Sequence, residues 1–353
     1  MMKVVHVIEA WKGGIASYVE ALVKYQLAKG YTVFLLADSN QLDTDARDLG
    51  AEVINYKSSR SPLAFIRIAK EISEKIEIIS PDIVHCHSTF PGIYVRLLKN
   101  SNKVIYTPHA WSFFKKDVGW LARFTYKRIE YFMSKRCKKI ICMSLEEMKA
   151  ARSIGISPER LSLVYTGIPG LSQGIAATKK NESCSGDGPL KVGFFGRFDY
   201  QKGFDLLEKV VPLLANNVEI HLFGGAVRGD NKRIDSHFFL HGWIDHSKIH
   251  DCMSSMDVIL IPSRWEGFAL TPLEAMRAGR SIIISNLSSL PEVVIHGFNG
   301  IILPDYSAEQ LAMVLNSLDK TECFRMGENG RKIYEQTFRF DDFAEKVSAV
   351  YLS

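Results

Sequence analysis

The chain has 353 residues, 46% hydrophobic and 24% charged, which is the balance of an ordinary globular protein long enough for two domains with full cores. No apolar run reaches the roughly 20 residues that span a bilayer, and the opening MMKVVHVIEAW lacks a signal-peptide cleavage pattern. The formal charge of +5 divides unevenly: residues 1–180 carry 27 Lys and Arg against 16 Asp and Glu, whereas residues 181–353 carry 17 against 23. A basic first half favours a phosphate-bearing or membrane-surface partner. The six cysteines show no CxxC spacing, as expected of reduced thiols in a cytoplasmic protein.

In chain order, Lys3 to Ile8 reads as an apolar strand, followed by Gly13-Gly14 and a helical pattern from Ala16 to Lys29. A strand, a glycine turn and a helix start suit either a phosphate-approach loop or a plain tight turn needing positive φ. Without GxGxxG there is little support for dinucleotide binding. Strands follow at Tyr31–Leu36 and 53–56, a short helix at Asp43–Leu49, a longer one from Leu63 to Ile76, and a strand at Ile83–His87. Asp43-Thr44-Asp45 resembles the DxD of metal-dependent sugar transferases but lies in a polar helix start, so it is read as a chance match. His85 and His87 share one strand face and Cys86 takes the other, which argues against three converging metal ligands; no metal site is expected.

The next strand starts at Val104 and turns at Pro108, with His109 just past its carboxyl end. Ligands of open α/β sheets bind at that end, so His109 is a site candidate, with a satisfied structural histidine as the bland alternative. From Trp111 to Lys139 aromatic residues (Trp111, Phe113, Phe114, Trp120, Phe124, Tyr126, Tyr131, Phe132) interleave with nine Lys and Arg, opposed only by Asp117 and Glu130. That composition suits an anionic membrane surface or the pyrophosphate of a lipid-linked substrate; nucleic acid and an ordinary solvated helix are the competing readings. A strand at Lys139–Met143, a helix at 146–154 and a strand at Leu163–Tyr165 complete the first half. Residues 171–189 are rich in Gly, Ser, Asn and Lys and read as a linker.

The α/β pattern restarts with a strand from Lys191 to Phe195. The turn Gly196-Arg197-Phe198-Asp199-Tyr200-Gln201-Lys202-Gly203 follows, then a helix from Phe204 to Leu214. Arg197 and Lys202 at a strand end can close on two phosphates, or simply lie on a solvated turn. Strands at Val218–Phe223 and Phe238–Trp243 and a helix at Lys248–Met256 lead to the stretch PSRWEGFALTPLEAMRAG, residues 262–279. A buried strand, Val258–Ile261, precedes it. Thr271 reads as an N-cap, Pro272 as N1, Glu274 as N3 and Gly279 as the stop. The loop between strand and helix holds Glu266, and the amides from Phe268 to Leu273, Pro272 excepted, would gather around an anion. Beyond it lie a strand at 282–284, a short helix at Leu290–Glu292, a turn and strand at Gly297–Leu303, a helix at Ala308–Leu318, and a tail helical in pattern from Thr321 to Val350.

These pieces together resemble the family-four retaining glycosyltransferases of the GT-B fold. Glu266 and Glu274 are similar to that family's pair of glutamates in an EGFGL-type loop. Gly13-Gly14, Thr107-Pro108-His109, the GRF…KG of 196–203 and the PEVV…NG of 291–300 stand in the family's order. The resemblance implies two Rossmann-like doubly wound α/β domains facing each other across a cleft. Residues 1–170 would form the acceptor domain and 190–337 the nucleotide-sugar domain, with a helix of about 338–353 packing back on the first. It implies a hexosyl transfer, with retention and without a metal cofactor, from a nucleotide-diphosphate sugar, UDP-sugar favoured over GDP-sugar. The acceptor would be a glycan on a polyprenyl diphosphate, in capsule, O-antigen or exopolysaccharide assembly on the inner face of the plasma membrane. By the same resemblance, Arg197 and Lys202 would neutralise the diphosphate and Glu274 would hold the ribose. Glu266 would touch the donor sugar beside the amides of Phe268, Ala269 and Leu270. Gly13-Gly14 would approach the diphosphate, and His109 would face the transferred sugar. Ala269, Thr166-Gly167 and Arg280-Ser281 depart from the family pattern. A lipid or small soluble acceptor, or a non-catalytic nucleotide-sugar binding subunit, are the alternatives; nucleic acid is not expected as a partner.

Overall fold

The computed structural model describes every residue except 10, 12, 40–48, 60, 98–100, 172–187 and 227–234. The helix expected at 43–49, the DxD match within it and most of the 171–189 linker lie outside the described residues. The chain divides into two compact units, Met1–Thr166 with Asp341–Ser353, and Gly167–Phe340.

The first unit is built on β1 (Lys3–Ile8), α1 (Gly13–Ala28), β2 (Thr32–Asp38), β3 (Glu52–Tyr56), α2 (Pro62–Ile79), β4 (Ile83–His87), α3 (Thr89–Arg96), β5 (Val104–Thr107), α4 (Trp120–Ser134), β6 (Lys139–Cys142), α5 (Leu145–Ser153) and β7 (Leu161–Leu163). Its seven strands lie in the order β3-β2-β1-β4-β5-β6-β7, each neighbouring pair parallel. Parallel strands need helical crossovers that cover the sheet faces, which is why the sequence shows apolar runs rather than alternation: Val4, Val5, Val7 and Ile8 are all fully buried. The order reverses between β1 and β4, so the loops leaving those two strands diverge at a switch point, where α/β sheets bind ligands.

The second unit repeats the plan with β8 (Leu190–Arg197), α6 (Phe204–Val210), β9 (Val218–Gly225), β10 (Phe238–Gly242), α7 (Ile249–Ser254), β11 (Val258–Ile261), α8 (Leu270–Arg277), β12 (Ser281–Ser285), β13 (Gly300–Leu303), α9 (Ala308–Ser317) and α10 (Lys320–Thr337). The parallel order is β10-β9-β8-β11-β12-β13, and the switch point falls between β8 and β11. The loops leaving those strands carry Arg197 to Gly203 and Pro262 to Ala269. Gly203 has φ +76, and a Cβ there would lie 2.2 Å from the Pro262 carbonyl oxygen, so only glycine lets the two loops approach.

Several boundaries differ from the sequence reading. The helix after Lys202 ends at Val210 and tightens into a 3-10 turn over Val211–Leu213, because Pro212 cannot donate to an α-helical ladder. β7 sits two residues earlier than expected, since Leu161 and not Leu163 registers against Ile140. The tail is two helices: α10 stops at Thr337, Arg339 forms a bridge with Ile168, and α11 (Phe340–Leu352) supplies the closing residues of the first unit.

The basic aromatic segment also resolves into two parts. Trp111 and Phe113 are core residues of the first unit, and Phe114 and Tyr126 pack against that core. Outward on α4 stand Trp120, Leu121, Phe124 and Phe132, each more than half exposed, with Arg123 and Arg128 beside them. Glu130, which looked like a charge opposing the cations, points inward. It accepts from Arg96 Nη1 at 2.8 Å and from the Tyr106 hydroxyl at 3.0 Å, and the guanidinium lies over the Tyr106 ring at 3.8 Å. Arg96 and Glu130 are both essentially without solvent exposure. Replacing Glu130 by Ala would leave a buried cation unpaired, so the unfolding free energy of the first unit should drop by about 3–5 kcal/mol in chemical denaturation.

Candidate active site

In the second unit, the turn leaving β8 and the loop leaving β11 meet through charge. Lys202 Nζ pairs with Glu266 Oε1 at 2.6 Å, both side chains largely buried. Arg197 pairs through Nε with Asp199 at 3.0 Å and donates from Nη2 to Gln201 at 2.8 Å. Asp199 also accepts from the Lys202 amide at 2.9 Å, and Gln201 Nε2 donates to the Trp265 carbonyl at 3.0 Å, so one short turn is stitched to the opposite loop. Ser288, held at φ +58, both accepts from the Glu266 amide at 3.0 Å and donates to its carbonyl at 2.8 Å. Arg264 grips Asp205 with two bonds of 2.6 and 2.8 Å while stacking on Tyr200 at 3.7 Å. Asp199, Gln201, Arg264 and Ser288 were not singled out from the sequence; a polar loop residue gives no signal of what it braces.

α8 starts at Leu270 with Ala269 at the N-cap, two residues earlier than Thr271 would have set it. Pro272 therefore occupies the third helical position, where its missing N–H is still one of the orphans of the first turn. Glu274 falls at the fifth position and closes no capping box, so the helix-cap explanation for this carboxylate fails. Its side chain is 12% exposed and faces His246 Nε2 at 3.8 Å. Burial raises its pKa, opposed by the charges of Arg277, His246 and Lys202. Ala269 gives no side-chain cap, so no side chain of the N-cap occupies the first-turn amides, which leaves this helix start, four residues after Glu266, available to an anion. Gly279, at φ +66 past the C-cap, ends the helix as its sequence position indicates.

In the first unit, Gly13 has φ +68 with open space where a Cβ would stand, and Gly14 is already helical. His109 and Ala110 take left-handed backbone at φ +51 and +81, a strained pair just past β5. Glu147 holds that turn: it accepts from the Ala110 amide and from the Met143 amide, each at 2.8 Å, and its own carbonyl receives the Trp111 indole N–H at 2.9 Å.

His85 and His87 do share a face, with Cys86 turned to the Ile105 carbonyl. A third imidazole joins them, His6 of β1, which the sequence reading overlooked; its registry against His85 is visible only once β1 and β4 are paired. His6 Nδ1 meets His87 Nε2 at 3.0 Å and His87 Nδ1 meets His109 Nε2 at 3.0 Å. His6 Nε2 reaches Gln26 Oε1 at 2.9 Å, and His85 is occupied on both nitrogens, by Tyr351 at 2.7 Å and Thr107 at 2.8 Å. Every ring nitrogen of His6, His85 and His87 has a hydrogen-bond partner, so this cluster is satisfied as a polar network.

Two family models match the chain, Glycosyltransferase Family 4 over residues 12–169 and Glycosyl transferases group 1 over residues 176–333. Between them they take in most of both units. The chain is a GT-B glycosyltransferase of the family-four type. Among relatives of this glycosyltransferase, an uncharacterized 41.2 kDa protein in the cps region of Klebsiella pneumoniae is 28% identical over the whole of both chains. The UDP-Gal:alpha-D-GlcNAc-diphosphoundecaprenol alpha-1,3-galactosyltransferase of Escherichia coli is 26% identical, over 77% of this chain and 75% of its own. Among solved structures, Anabaena HepE in complex with UDP and glucose superposes with a TM-score of 0.82 at 16% identity, covering 99% of each chain, a likeness of fold.

Burial lowers the His6 pKa from 6.5 to about 4. Between those values the unfolded chain binds the proton and the folded chain does not. The first unit should therefore keep its full stability above pH 6.5 and lose it as pH falls toward 4, by up to about 3 kcal/mol from His6 alone. Thermal midpoints across that range should fall for the wild type and fall less steeply in His6→Gln, because His85, His87 and His109 are lowered by burial as well; a wild-type slope no steeper than the variant's would refute the burial argument.

Proposed function

We propose that this glycosyltransferase moves a hexose from a nucleotide-diphosphate sugar, UDP-sugar rather than GDP-sugar, to a glycan carried on a polyprenyl diphosphate, with retention at the anomeric carbon. The observation that carries the reading is the Lys202–Glu266 pair at the β8/β11 switch point, with Arg197 on the same turn and the amides of α8 beside it. A nucleoside diphosphate leaving group gathers negative charge on its β-phosphate as the bond from the anomeric carbon breaks. Lys202 and Arg197 are the cations available to it. When the diphosphate arrives, Lys202 exchanges its carboxylate partner for a phosphate oxygen, and Glu266 is released to accept hydroxyls of the donor sugar. Glu274, buried at the fifth position of α8, is assigned to the ribose, and the amides of Phe268, Ala269 and Leu270 to sugar and phosphate. The acceptor oxygen bonds the anomeric carbon from the face the phosphate leaves, and its proton passes to the departing phosphate oxygen. With two side-chain cations and a helix terminus for the leaving group, no metal is needed. In the first unit, Gly13-Gly14 and His109 are assigned to the diphosphate and the transferred sugar.

The Escherichia coli relative supports the donor and acceptor classes, and the Klebsiella relative supports the capsule, O-antigen or exopolysaccharide setting. Lys202→Ala and Glu266→Ala should each cut transfer at least a hundredfold without lowering the thermal midpoint by more than a few degrees, with turnover in wild type indifferent to EDTA. UDP and UDP-sugars should raise the wild-type midpoint more than GDP, ADP or dTDP compounds. Unchanged transfer in either variant would remove the site assignment, and preferential stabilisation by a GDP compound would move the donor class.

Membrane association is assigned to α4. Its exposed Trp120, Leu121, Phe124 and Phe132 lie among Arg123, Arg128, Lys135 and Arg136, and the inward turn of Glu130 leaves that face cationic. No helix among the described residues is long and apolar enough to cross a membrane, so the contact would be peripheral, on the anionic inner leaflet. Glutamate at those four basic positions should abolish sedimentation with phosphatidylglycerol vesicles. Wild type that ignores such vesicles would sink the assignment.

A further inference from the structure

The buried imidazoles form a chain with a direction. A neutral imidazole has one N–H and one lone pair, so fixing one nitrogen fixes the other. Gln26 Nε2 donates to the Tyr351 hydroxyl at 3.3 Å, a spacing too long for a hydroxyl donating to the amide oxygen, which would close to about 2.7–2.8 Å. That orientation turns Gln26 Oε1, an acceptor only, toward His6 Nε2 at 2.9 Å, which must carry the hydrogen. His6 Nδ1 is then a lone pair and takes the N–H of His87 Nε2, and His87 Nδ1 in turn takes the N–H of His109 Nε2, each over 3.0 Å. The remaining nitrogen, His109 Nδ1, is a lone pair with no hydrogen-bond partner among the described residues. The other arm of the amide closes consistently: Tyr351 donates to His85 Nδ1 and His85 Nε2–H donates to Thr107.

We propose that Gln26, acting through His6 and His87, is a positioning residue that holds His109 as its Nε2–H tautomer, so that Nδ1 accepts a hydrogen bond from a hydroxyl of the sugar substrate. The inference rests on the reading of His109 as a sugar contact. All four residues belong to the first unit, and Gln26, His6 and His87 are wholly buried, so water does not scramble the order. Burial lowers the pKa of His6 to about 4 and of His109 to about 3, which keeps the chain neutral at pH 7. His109 is in consequence an acceptor and not a proton donor to the leaving group. A sugar hydroxyl, which can donate, is the kind of group this lone pair selects.

Histidine-selective nitrogen-15 labelling and long-range proton–nitrogen correlation spectra report each tautomer directly in the intact protein, without substrate. His6, His87 and His109 should all be Nε2–H at pH 7. Gln26→Leu should turn His109 into a tautomer mixture and reduce turnover about tenfold, the worth of one neutral hydrogen bond, with nucleotide affinity unchanged. Gln26→Glu, still an acceptor toward His6, should restore the Nε2–H form and recover turnover. Tyr351→Phe, which frees the amide to rotate, should give a mixture too and serves if Gln26→Leu does not fold. A wild-type His109 with its hydrogen on Nδ1, or a tautomer indifferent to both Gln26→Leu and Tyr351→Phe, overturns the proposal. His109→Ala tests the underlying reading by itself: normal transfer there would remove the sugar contact while leaving the tautomer result standing.

Discussion

Both units are governed by one constraint, that a parallel sheet must be covered on both faces and so must send every connection over the top in the same sense. All strand carboxyl ends then fall on one edge, and wherever the strand order reverses two neighbouring loops are parted. The candidate residues cluster at such reversals: Arg197, Lys202 and Glu266 at the β8/β11 reversal, and His6, His87 and the Gly13 turn at the β1/β4 reversal. The backbone specials follow the same rule. Ser88, His109, Ala110 and Ser288, four of the five described non-glycine residues with positive φ, border these loops. Such conformations persist only where surroundings overdetermine them, as the Glu147 carboxylate does for Ala110.

Charges at the β8/β11 reversal of the second unit are held in pairs. Lys202 has Glu266, Arg197 has Asp199, and Arg264 has Asp205. The third pair is a brace: its cation is sandwiched by Tyr200 and Tyr306, and Tyr306 in turn donates to the Pro262 carbonyl. The first two involve groups that a diphosphate and a sugar would compete for. A charge kept paired until its ligand arrives avoids the cost of a buried lone ion and makes the loop rigid in the meantime.

Most of the fold was legible because strand burial here is continuous, and runs such as Val258–Ile261 or Ile282–Ile284 admit little else. Boundaries suffered where hydrogen-bond register decides them, as at β7. The Glu266 to Glu274 stretch stood out in the sequence as a candidate site because a loop carboxylate beside a helix start has few structural uses. The capping role suggested for Glu274 was wrong because α8 begins two residues early, and that depends on the backbone at Ala269 rather than on Thr271. His6 was illegible for a different reason. One histidine in an apolar strand means nothing until β4 is laid against it, and Gln26 and Tyr351 are further still from any local pattern.

The split of the tail into α10 and α11 has a bearing on how the protein is made. Tyr351 lies 325 positions beyond Gln26, yet the two share a buried hydrogen bond in the same unit. As the chain leaves the ribosome, the second unit has everything it needs before the first does. The unit translated earliest is thus completed last, and until residue 351 emerges its imidazole cluster lacks a lid. Contacts of such long range slow folding and expose apolar surface in the interval. An order of synthesis and an order of completion that run in opposite directions make this a protein whose late residues decide whether its early ones are finished.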